Sequence, residues 1–336
     1  MTLSVAMCTF NGERFLREQL LSIFDQSRLP DEIVVVDDGS TDQTMAILKT
    51  LTADSKIKMR LFTNRERLGV VQNFERAIQY CKGDVIVLSD QDDRWHPRKI
   101  EKIQAAFSEK SDLQLLFSDV SFIDADSKPM ASTLWEQKGF DRRERKEWQQ
   151  NPARKQYSFF QRDFVSGNAL AIHRDFAKFA RPFPKDRSLV LHDGWMLFLA
   201  ALTQPEKMAF ISEPLTAYRL YDEQLVGVHL QKSLKRRMRM WKPVNRWREA
   251  KQQLRRLVYL QEELRQKKVV YYDPRALDMA IEWWKVRIQL LDTSKLSEPV
   301  RVRNFMQNYK KFTKYPVGER LGDLVASLLR PFQPIE

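Results

Sequence analysis

Two acidic clusters each follow a short apolar run of the kind that forms buried strands. Residues 37–40 (DDGS) come directly after the run 32–36 (EIVVV), and residues 89–93 (SDQDD) come directly after the run 84–88 (DVIVL). If both runs are strands of one parallel sheet, the two clusters lie at the same edge of that sheet. Carboxylates that converge in this way repel each other unless a cation or hydrogen-bond donors neutralise them.

Two carboxylates combined with substrate phosphates are typical of a magnesium or manganese site, so the clusters predict a metal ion that holds a diphosphate. Helix capping by Asp and Ser is the alternative explanation for each cluster taken alone. The motifs G-x-G-x-x-G and G-x-x-x-x-G-K-[ST] do not occur, which argues against dinucleotide dehydrogenases and P-loop enzymes. The four histidines are scattered and lack the spacing of a zinc site.

The elements that would position these clusters alternate between strand and helix over the first 110 residues, which indicates βαβ units and a parallel sheet. We predict strands at 3–8, 32–36, 58–63 and 84–88, and helices at 13–24, 41–51, 70–81 and 97–108. Ser40 or Thr41 is placed to cap the second helix. Beyond residue 111 the pattern weakens: 113–122 predicts a strand, 135–163 predicts loops or a short helix, and 164–172 and 191–202 are apolar.

Length and composition set the broad class. A chain of 336 residues suggests about two domains with ample core. Only Cys8 and Cys81 are present, which excludes a disulfide scaffold and fits a reducing compartment. No apolar run approaches the ~20 residues of a membrane span, and the N-terminus lacks the basic region of a signal peptide. We therefore expect a cytoplasmic protein.

The net charge of +13 is concentrated in the last third of the chain. Residues 1–227 contain 32 Lys and Arg against 33 Asp and Glu, whereas residues 228–336 contain 25 against 11. The sequence from 229 onward has helical patterns. We predict three regions: 1–110 and 111–227 as two halves of one catalytic domain, and 228–336 as a basic helical extension.

The stretches around both clusters resemble the family-2 glycosyltransferases of the GT-A fold. The resemblance covers residues 2–227 and rests on segments in family order: 4–44, 64–100, 164–174 (FVSGNALAIHR), 192–202 (HDGWMLFLAAL) and 213–227 (EPLTAYRLYDEQLVG). Within that family the chain is similar to the rhamnosyltransferase-like branch that builds bacterial surface polysaccharides. The resemblance implies an α/β, Rossmann-like fold with a mostly parallel central sheet flanked by helices.

The resemblance also implies donor-side roles. Asp38 would hydrogen-bond the nucleotide base, with Thr9, Phe10 and Glu13 beside it. Asp90 would contact the ribose. These residues make 1–110 the half that binds the nucleotide sugar.

Further roles belong to the reaction itself. Asp92, the last residue of the D-x-D triplet, would ligate the metal on the diphosphate, and Asp193 would be the general base of an inverting transfer. Gly167, Asn168 and Trp195 would lie on the acceptor side. A helix cap is the alternative for Asp193, and an ordinary turn is the alternative for the segment around Gly167.

One position departs from the family pattern. The family often has Y-R-x-H-x-x-N where this chain has residues 218–224 (YRLYDEQ), so Tyr221 stands in place of a histidine that can complete the metal shell. Asp222 or Glu223 could substitute, or Asp92 with phosphates and water could hold the metal alone. A degenerate, inactive protein is a third alternative. Arg219 would neutralise diphosphate charge.

The basic extension has two compatible explanations. Residues 230–241 combine apolar residues at helical spacing with a cluster of bases, a pattern that suits an anionic membrane surface. Residues 279–291 and 321–332 predict two more amphipathic helices, and a bundle that packs on the catalytic domain is the alternative. No nucleic-acid-binding motif is present, so we expect no nucleic-acid partner.

Together these expectations describe an enzyme at the inner face of the cell membrane. It would move a sugar from a dTDP- or UDP-sugar, with rhamnose as the first expectation, to a saccharide or lipid-linked acceptor, using Mg²⁺ or Mn²⁺. The alternative is a catalytically degenerate protein that still binds nucleotide sugars.

Overall fold

Four parallel strands form one half of the central sheet: β1 (Leu3–Thr9), β2 (Glu32–Asp37), β3 (Lys58–Thr63) and β4 (Val85–Ser89), in the order β3-β2-β1-β4. Every residue of β1, β2 and β4 is buried, because these apolar runs are covered on both faces. The parallel order places the carboxyl ends of β1, β2 and β4 at one edge. Residues 37–40 and 89–93 therefore lie at the same edge of the sheet, on either side of β1, as predicted.

The helices of this half are α1 (Leu16–Phe24), α2 (Thr44–Asp54), α3 (Val70–Tyr80) and α4 (Lys99–Glu109). The predicted alternation of strand and helix is confirmed. The predicted cap of α2 is wrong: the helix is preceded by Gln43, and neither Ser40 nor Thr41 caps it. Ser40 instead accepts a hydrogen bond from the Asn11 N–H.

The other half of the sheet is mixed. It contains β5 (Arg94–Trp95), β6 (Leu115–Ile123), β7 (Pro129–Thr133), β8 (Leu170–His173) and β9 (Met208–Arg219), in the order β4-β8-β6-β9-β5, with β7 beside β6. β8 runs antiparallel to both β4 and β6, and β9 runs parallel to β6. Because β8 is antiparallel to β4, the start of β8 lies beside the end of β4. This neighbourhood brings residues 166–169 next to residues 89–93.

The polar segment 135–163 is more ordered than the sequence predicts. It forms three helices, α5 (Leu134–Lys138), α6 (Arg142–Gln150) and α7 (Pro152–Gln161), in place of loops or one short helix. Trp135 and Trp148 are buried against Phe117, so a few aromatic side chains anchor helices that are otherwise polar. Local caps also define these helices, with a capping box at Thr133 and an aspartate cap at Asp141.

The structure is a computed structural model that describes residues 1–161, 163–221, 243–269, 272, 274–291, 300 and 303. The chain divides into two compact units. The first consists of Met1–Pro152 with Arg162–Val228 and also contains α8 (Arg174–Ala180) and α9 (His192–Thr203); the second consists of Ala153–Gln161 with His229–Glu336.

The second unit is helical where the structure describes it. α10 (Pro243–Gln266) packs against α11 (Pro274–Leu291), and the Trp284 indole N–H donates to the carbonyl of Phe160 in α7. α11 includes the amphipathic helix predicted at 279–291. The predicted helices at 230–241 and 321–332 lie outside the described residues. Among the helices that the structure describes, none has the length and apolar character that a membrane-spanning segment needs.

Candidate functional site

β4 leads directly into an acidic loop, which we define as residues 90–93. Desolvation raises the pKa of Asp90 well above its usual range, and the carboxylates of Asp93, Asp92 and Asp193 raise it further. Geometry also places Asp193 near this loop: a Cβ at Gly167 would lie 3.4 Å from Asp193 Oδ2, and the next residue, Asn168, donates a hydrogen bond to Asp93. The structure therefore brings Asp90 and Asp92, from the first half of the catalytic domain, together with Asp193 from the second.

The acidic loop has the chemistry of a cation site that is completed by substrate. In the part of the chain that the structure covers, no group of three or more His, Cys, Asp or Glu side chains encloses a metal by itself. Magnesium and manganese typically bind one or two carboxylates together with phosphate oxygens and water. Asp92 and Asp90 fit that pattern, and a cation beside them would relieve the repulsion that raises the pKa of Asp90.

Gln91, the middle residue of the D-x-D triplet, ties the acidic loop to the end of β1. Its Oε1 accepts a hydrogen bond from the Phe10 N–H at 2.8 Å, and its Nε2 donates to the Phe10 carbonyl at 3.1 Å. A Cβ at Gly12 would lie 2.3 Å from Gln91 Oε1, so glycine makes room for this pairing. Nothing in the sequence indicates this role, because the partner of Gln91 is backbone at the end of a distant strand.

Tyr221 contacts the predicted metal ligand directly. Its hydroxyl donates to Asp92 Oδ2 at 2.6 Å, and its ring packs on Phe15 with 4.9 Å between the ring centroids. Burial and the neighbouring Asp92 carboxylate raise the pKa of Tyr221, so the phenol is a neutral donor at physiological pH. The residue that departs from the family pattern therefore holds Asp92 by a hydrogen bond.

Arg219 is buried against the acidic loop and is hydrogen-bonded to it. Its side chain has no exposed surface; the guanidinium pairs with Glu18 at 2.6 Å and its Nε donates to the Asp92 carbonyl at 2.8 Å. The expectation was that Arg219 neutralises diphosphate charge; in the structure its guanidinium is buried and its charge is paired with Glu18 instead. Arg219 fixes the loop that carries Asp92, and Glu18, which the sequence analysis did not single out, balances its charge.

Asp38 is buried at the end of β2 and organises the loop that precedes α3. Its carboxylate accepts hydrogen bonds from Asn64 Nδ2 at 2.8 Å, from the Leu68 N–H at 2.7 Å and from the Gly69 N–H at 2.8 Å. Its own backbone N–H donates to the Thr9 carbonyl at 2.8 Å. A carboxylate can accept about four hydrogen bonds, so Asp38 retains capacity for one more, which is what contact with a nucleotide base requires.

The other predicted donor-side residues differ in their surroundings. Phe10 is half-buried, and the Arg67 guanidinium lies 3.7 Å from the centre of its ring. Glu13 is exposed and accepts a hydrogen bond from the Gln43 N–H at 2.8 Å, at the start of α2. Phe10 follows Thr9, whose carbonyl is hydrogen-bonded to the Asp38 N–H, whereas Glu13 is hydrogen-bonded to the start of α2.

Asp193 lies in the first turn of α9, half-exposed. The N-cap position of α9 is Leu191, and no side chain caps it, so the helix-cap alternative for Asp193 does not hold. His192 beside it is buried and stacks on Phe74 with 4.0 Å between ring centroids. Burial lowers the pKa of His192, so its imidazole is neutral, and neither ring nitrogen has a partner among the described residues.

Gly167 brings the predicted acceptor-side loop against the predicted base. A Cβ at Gly167 would lie 3.0 Å from His192 Nε2 and 3.4 Å from Asp193 Oδ2, so any larger residue would press on this pair. Trp195 has a different place from the one predicted. It is fully buried and its indole N–H donates to the Ala180 carbonyl at 2.8 Å, so it belongs to the core and not to the acceptor side.

Two further charged residues, one at the end of the acidic loop and one in α4, were given no role from the sequence. Asp93 is buried and accepts a hydrogen bond from Asn168 Nδ2. Lys99 is buried in α4, where its ammonium group donates to the Asn168 carbonyl at 2.6 Å. A signal for Lys99 was available, because it shares the inward helical face of Ile103 and Phe107.

Comparison with known families decides the broader assignment. The model of glycosyl transferase family 2 matches residues 4–175, about half of the chain. The chain belongs to this family. The matched region contains Asp38, the acidic loop and Asn168, and it ends before Asp193.

Relatives of this family member support the same assignment. The chain is 36% identical over 107 residues to the putative glycosyltransferase EpsE of Bacillus subtilis, and this alignment covers 32% of this chain and 38% of EpsE. It is 28% identical over 128 residues to the putative teichuronic acid biosynthesis glycosyltransferase TuaG of the same organism, and this alignment covers 38% of this chain and 50% of TuaG. The aligned regions span half or less of these relatives.

Solved structures share the fold. TarS 1-349 of S. aureus in complex with UDP-GlcNAc aligns with a TM-score of 0.54 at 14% identity, over 98% of this chain and 80% of that one. The mannosyltransferase PcManGT of Pyrobaculum calidifontis, in complex with GDP-Man and Mn²⁺, aligns with a TM-score of 0.55 at 15% identity over the same shares. At these identities the likeness establishes the fold alone, which is GT-A.

Proposed function

We propose that this family-2 glycosyltransferase moves a sugar from a nucleotide diphosphate sugar to a saccharide or lipid-linked acceptor, with inversion. One observation carries the proposal: Gly167 lies against Asp193, with 3.4 Å from its Cβ position to Asp193 Oδ2, and the next residue, Asn168, donates a hydrogen bond to Asp93 of the acidic loop. A candidate base and a candidate diphosphate site thus share one crevice. Bound nucleotide sugars in TarS and PcManGT support this donor class.

The donor would lie across the ends of β1, β2 and β4. Asp38, with Thr9 and Phe10 beside it, would hold the base, and Asp90 would meet the ribose. Gln91 joins the two ends of this site through the Phe10 backbone. Binding in the crevice at the carboxyl ends of parallel strands is the general rule for such sheets.

The acceptor would approach over Gly167, beside Asp193. Asn168 was predicted on the acceptor side but is wholly buried, so it would support this loop from within and would not contact the acceptor. The Asp193 carboxylate takes the proton of the acceptor hydroxyl while the acceptor oxygen forms a bond to the anomeric carbon. The bond from that carbon to the diphosphate breaks, and its electron pair leaves with the diphosphate on the opposite face. One bond forms and one breaks at the same carbon, so the configuration inverts.

A divalent metal would assist this step, held by Asp92 and by the diphosphate. Bound Mg²⁺ or Mn²⁺ stabilises the negative charge that develops on the leaving diphosphate. Mn²⁺ in the complex of PcManGT supports the class of metal. Tyr221 contributes by holding one oxygen of Asp92 in place.

The first test is a thermal-shift screen of dTDP-, UDP- and GDP-sugars with and without MnCl₂. We expect dTDP-rhamnose to give the largest metal-dependent shift, with UDP-hexoses and UDP-N-acetylhexosamines after it. A shift with another sugar alone would change the donor, and no shift with any nucleotide sugar would reject the proposal.

The second test removes the candidate site residues. Donor hydrolysis or transfer should disappear in Asp92→Ala and in Asp193→Asn, because each lacks one group the reaction needs. Asp54→Asn, which changes an exposed aspartate of α2, is the matched control and should keep wild-type activity. Full activity in both site variants would show that the site is assigned wrongly.

A second candidate function is a degenerate protein that binds nucleotide sugars without transfer. The hydrogen bond between Tyr221 and Asp92 favours it, since the phenol takes up an oxygen of the predicted metal ligand. Nucleotide-sugar binding that persists with no turnover, in wild type and with every acceptor tested, would support this second function.

We further propose that the protein works at the inner face of the cell membrane and serves surface polysaccharide synthesis. Membrane association is supported by the 25 basic residues in 228–336, which outnumber the 11 acidic ones. A role in polysaccharide synthesis is supported by the similarity to TuaG, whose name refers to teichuronic acid biosynthesis. The full chain should pellet with vesicles of phosphatidylglycerol and phosphatidylcholine, and less so at high salt. Replacing Lys235, Arg236, Arg237 and Arg239 with glutamate should abolish pelleting; unchanged pelleting would reject membrane binding.

A further inference from the structure

One buried hydrogen bond joins the donor side of the site to the acceptor side. The Asn168 Nδ2 donates to Asp93 Oδ2, and both side chains are almost wholly buried, at 0% and 1% exposure. The two residues come from different parts of the chain, Asp93 after β4 and Asn168 before β8. They meet because β8 runs antiparallel to β4.

Each end of this pair is anchored by further buried groups. Asp93 Oδ1 accepts a hydrogen bond from the Arg219 backbone N–H at 3.1 Å. The Asn168 carbonyl accepts from Lys99 Nζ at 2.6 Å and from Thr216 Oγ1 at 3.2 Å. The Asp93 side chain and the Asn168 backbone therefore cannot shift without breaking contacts to β9 or α4.

The residues next to this pair are the ones assigned to chemistry. Asp93 directly follows Asp92, the predicted metal ligand. Asn168 directly follows Gly167, whose Cβ position lies 3.4 Å from Asp193 Oδ2. A shift of the Asp93–Asn168 pair would therefore change the spacing between the metal ligand and the base.

We propose that Asp93 and Asn168 are positioning residues that set the spacing between the acidic loop and the acceptor-side loop. The proposal rests on the proposed glycosyl transfer, whose geometry it refines. Neither residue needs to touch the substrate for this role. A misplacement of about 1 Å between reacting groups can lower a rate by roughly 100-fold, so the effect is measurable.

A reciprocal exchange provides the test. Asn168→Asp places two carboxylates face to face in a buried site, and Asp93→Asn places two amides there. The double variant Asp93→Asn/Asn168→Asp moves the carboxylate to the other end of the same hydrogen bond. The new amide keeps an oxygen for the Arg219 N–H and offers an N–H to the new carboxylate.

We expect each single variant to lose transfer by about 100-fold in kcat, while the Kd for UDP or dTDP with Mn²⁺ changes less than about threefold. The double variant should recover to within about tenfold of wild type. A role in folding alone would lower the melting temperature and leave kcat of the folded fraction unchanged. Asp54→Asn controls for the loss of one negative charge.

Several outcomes would overturn the proposal. Wild-type kcat in either folded single variant would do so, as would a folded double variant no more active than Asn168→Asp. If Asn168→Asp does not fold, Asn168→Ala removes the same N–H without adding charge, and retained kcat there contradicts the proposal. A wild type that binds no nucleotide sugar would reject the proposed function first, and the positioning role with it.

Discussion

Replacing Gln91 with leucine should separate the acidic loop from β1 without a large change in side-chain volume. The variant loses both hydrogen bonds to the Phe10 backbone, at 2.8 and 3.1 Å. Each such bond contributes about 0.5–1.5 kcal/mol, so together they contribute about 1–3 kcal/mol. Because Phe10 is half-buried and water can replace part of the loss, we expect the lower part of that range, about 1–2 kcal/mol.

Two assays measure this loss. For a unit of this size, about 1 kcal/mol corresponds to about 2–4 °C, so the melting temperature of Gln91→Leu should fall by about 2–8 °C. The Kd for UDP or dTDP with Mn²⁺ should rise about 5–30-fold, because the base end and the metal end of the site are no longer fixed to each other.

A second variant reaches the same contact from the other side. Gly12→Ala places a methyl group 2.3 Å from Gln91 Oε1 and should reproduce both effects. Gln79→Leu changes an exposed glutamine of α3 and should alter neither. Unchanged melting temperature and Kd in Gln91→Leu would refute the coupling, whatever Gly12→Ala does.

Three more predictions follow from single contacts. Tyr221→Phe removes the hydrogen bond to Asp92, so Mn²⁺ should bind about tenfold more weakly in the presence of UDP. Electron paramagnetic resonance of bound and free Mn²⁺ measures this affinity, and an unchanged affinity would contradict a role of the contact in metal binding. Gly167→Ala places a methyl group 3.4 Å from Asp193 Oδ2 and should lower kcat, while the affinity for UDP or dTDP stays unchanged. Burial raises the pKa of Glu32, but hydrogen bonds and the ion pair with Arg60 outweigh it and hold that pKa below its usual range. The ionised Glu32 therefore stabilises the folded protein, and this contribution is lost as the pH falls through the lowered pKa. Glu32→Gln should therefore lower the urea midpoint at pH 7 and flatten its decline below about pH 5.

The first half of the fold could be predicted because its signals are local. The runs at 32–36 and 84–88 are short, apolar and continuous, and strands covered on both faces need that pattern. The position of Asp38 and Asp92 at one sheet edge then follows from parallel order. No long-range information is needed for this step.

The second half could not be predicted in the same way. In segment 135–163, helices are anchored by a few aromatic residues such as Trp148, whose partners are distant in sequence. Trp195 and Arg219 were assigned to the substrate from resemblance, yet both are buried. Burial depends on which elements pack around a residue, and the sequence around Trp195 is equally compatible with a core helix and with a site wall.

Charge around the acidic loop argues that donor binding depends on a metal. Lys99 and Arg219 are buried basic residues near the carboxylates. Burial lowers the pKa of Lys99 to about 7, and each residue is engaged by protein groups: Lys99 by the Asn168 carbonyl and Arg219 by Glu18. A diphosphate brings further negative charge toward this loop, and that repulsion is strong where water is partly excluded. We therefore expect UDP or dTDP to bind at least about tenfold more weakly in EDTA than in MnCl₂, measured by calorimetry at constant ionic strength. Equal affinity in both would mean that protein cations, and not a metal, neutralise the diphosphate.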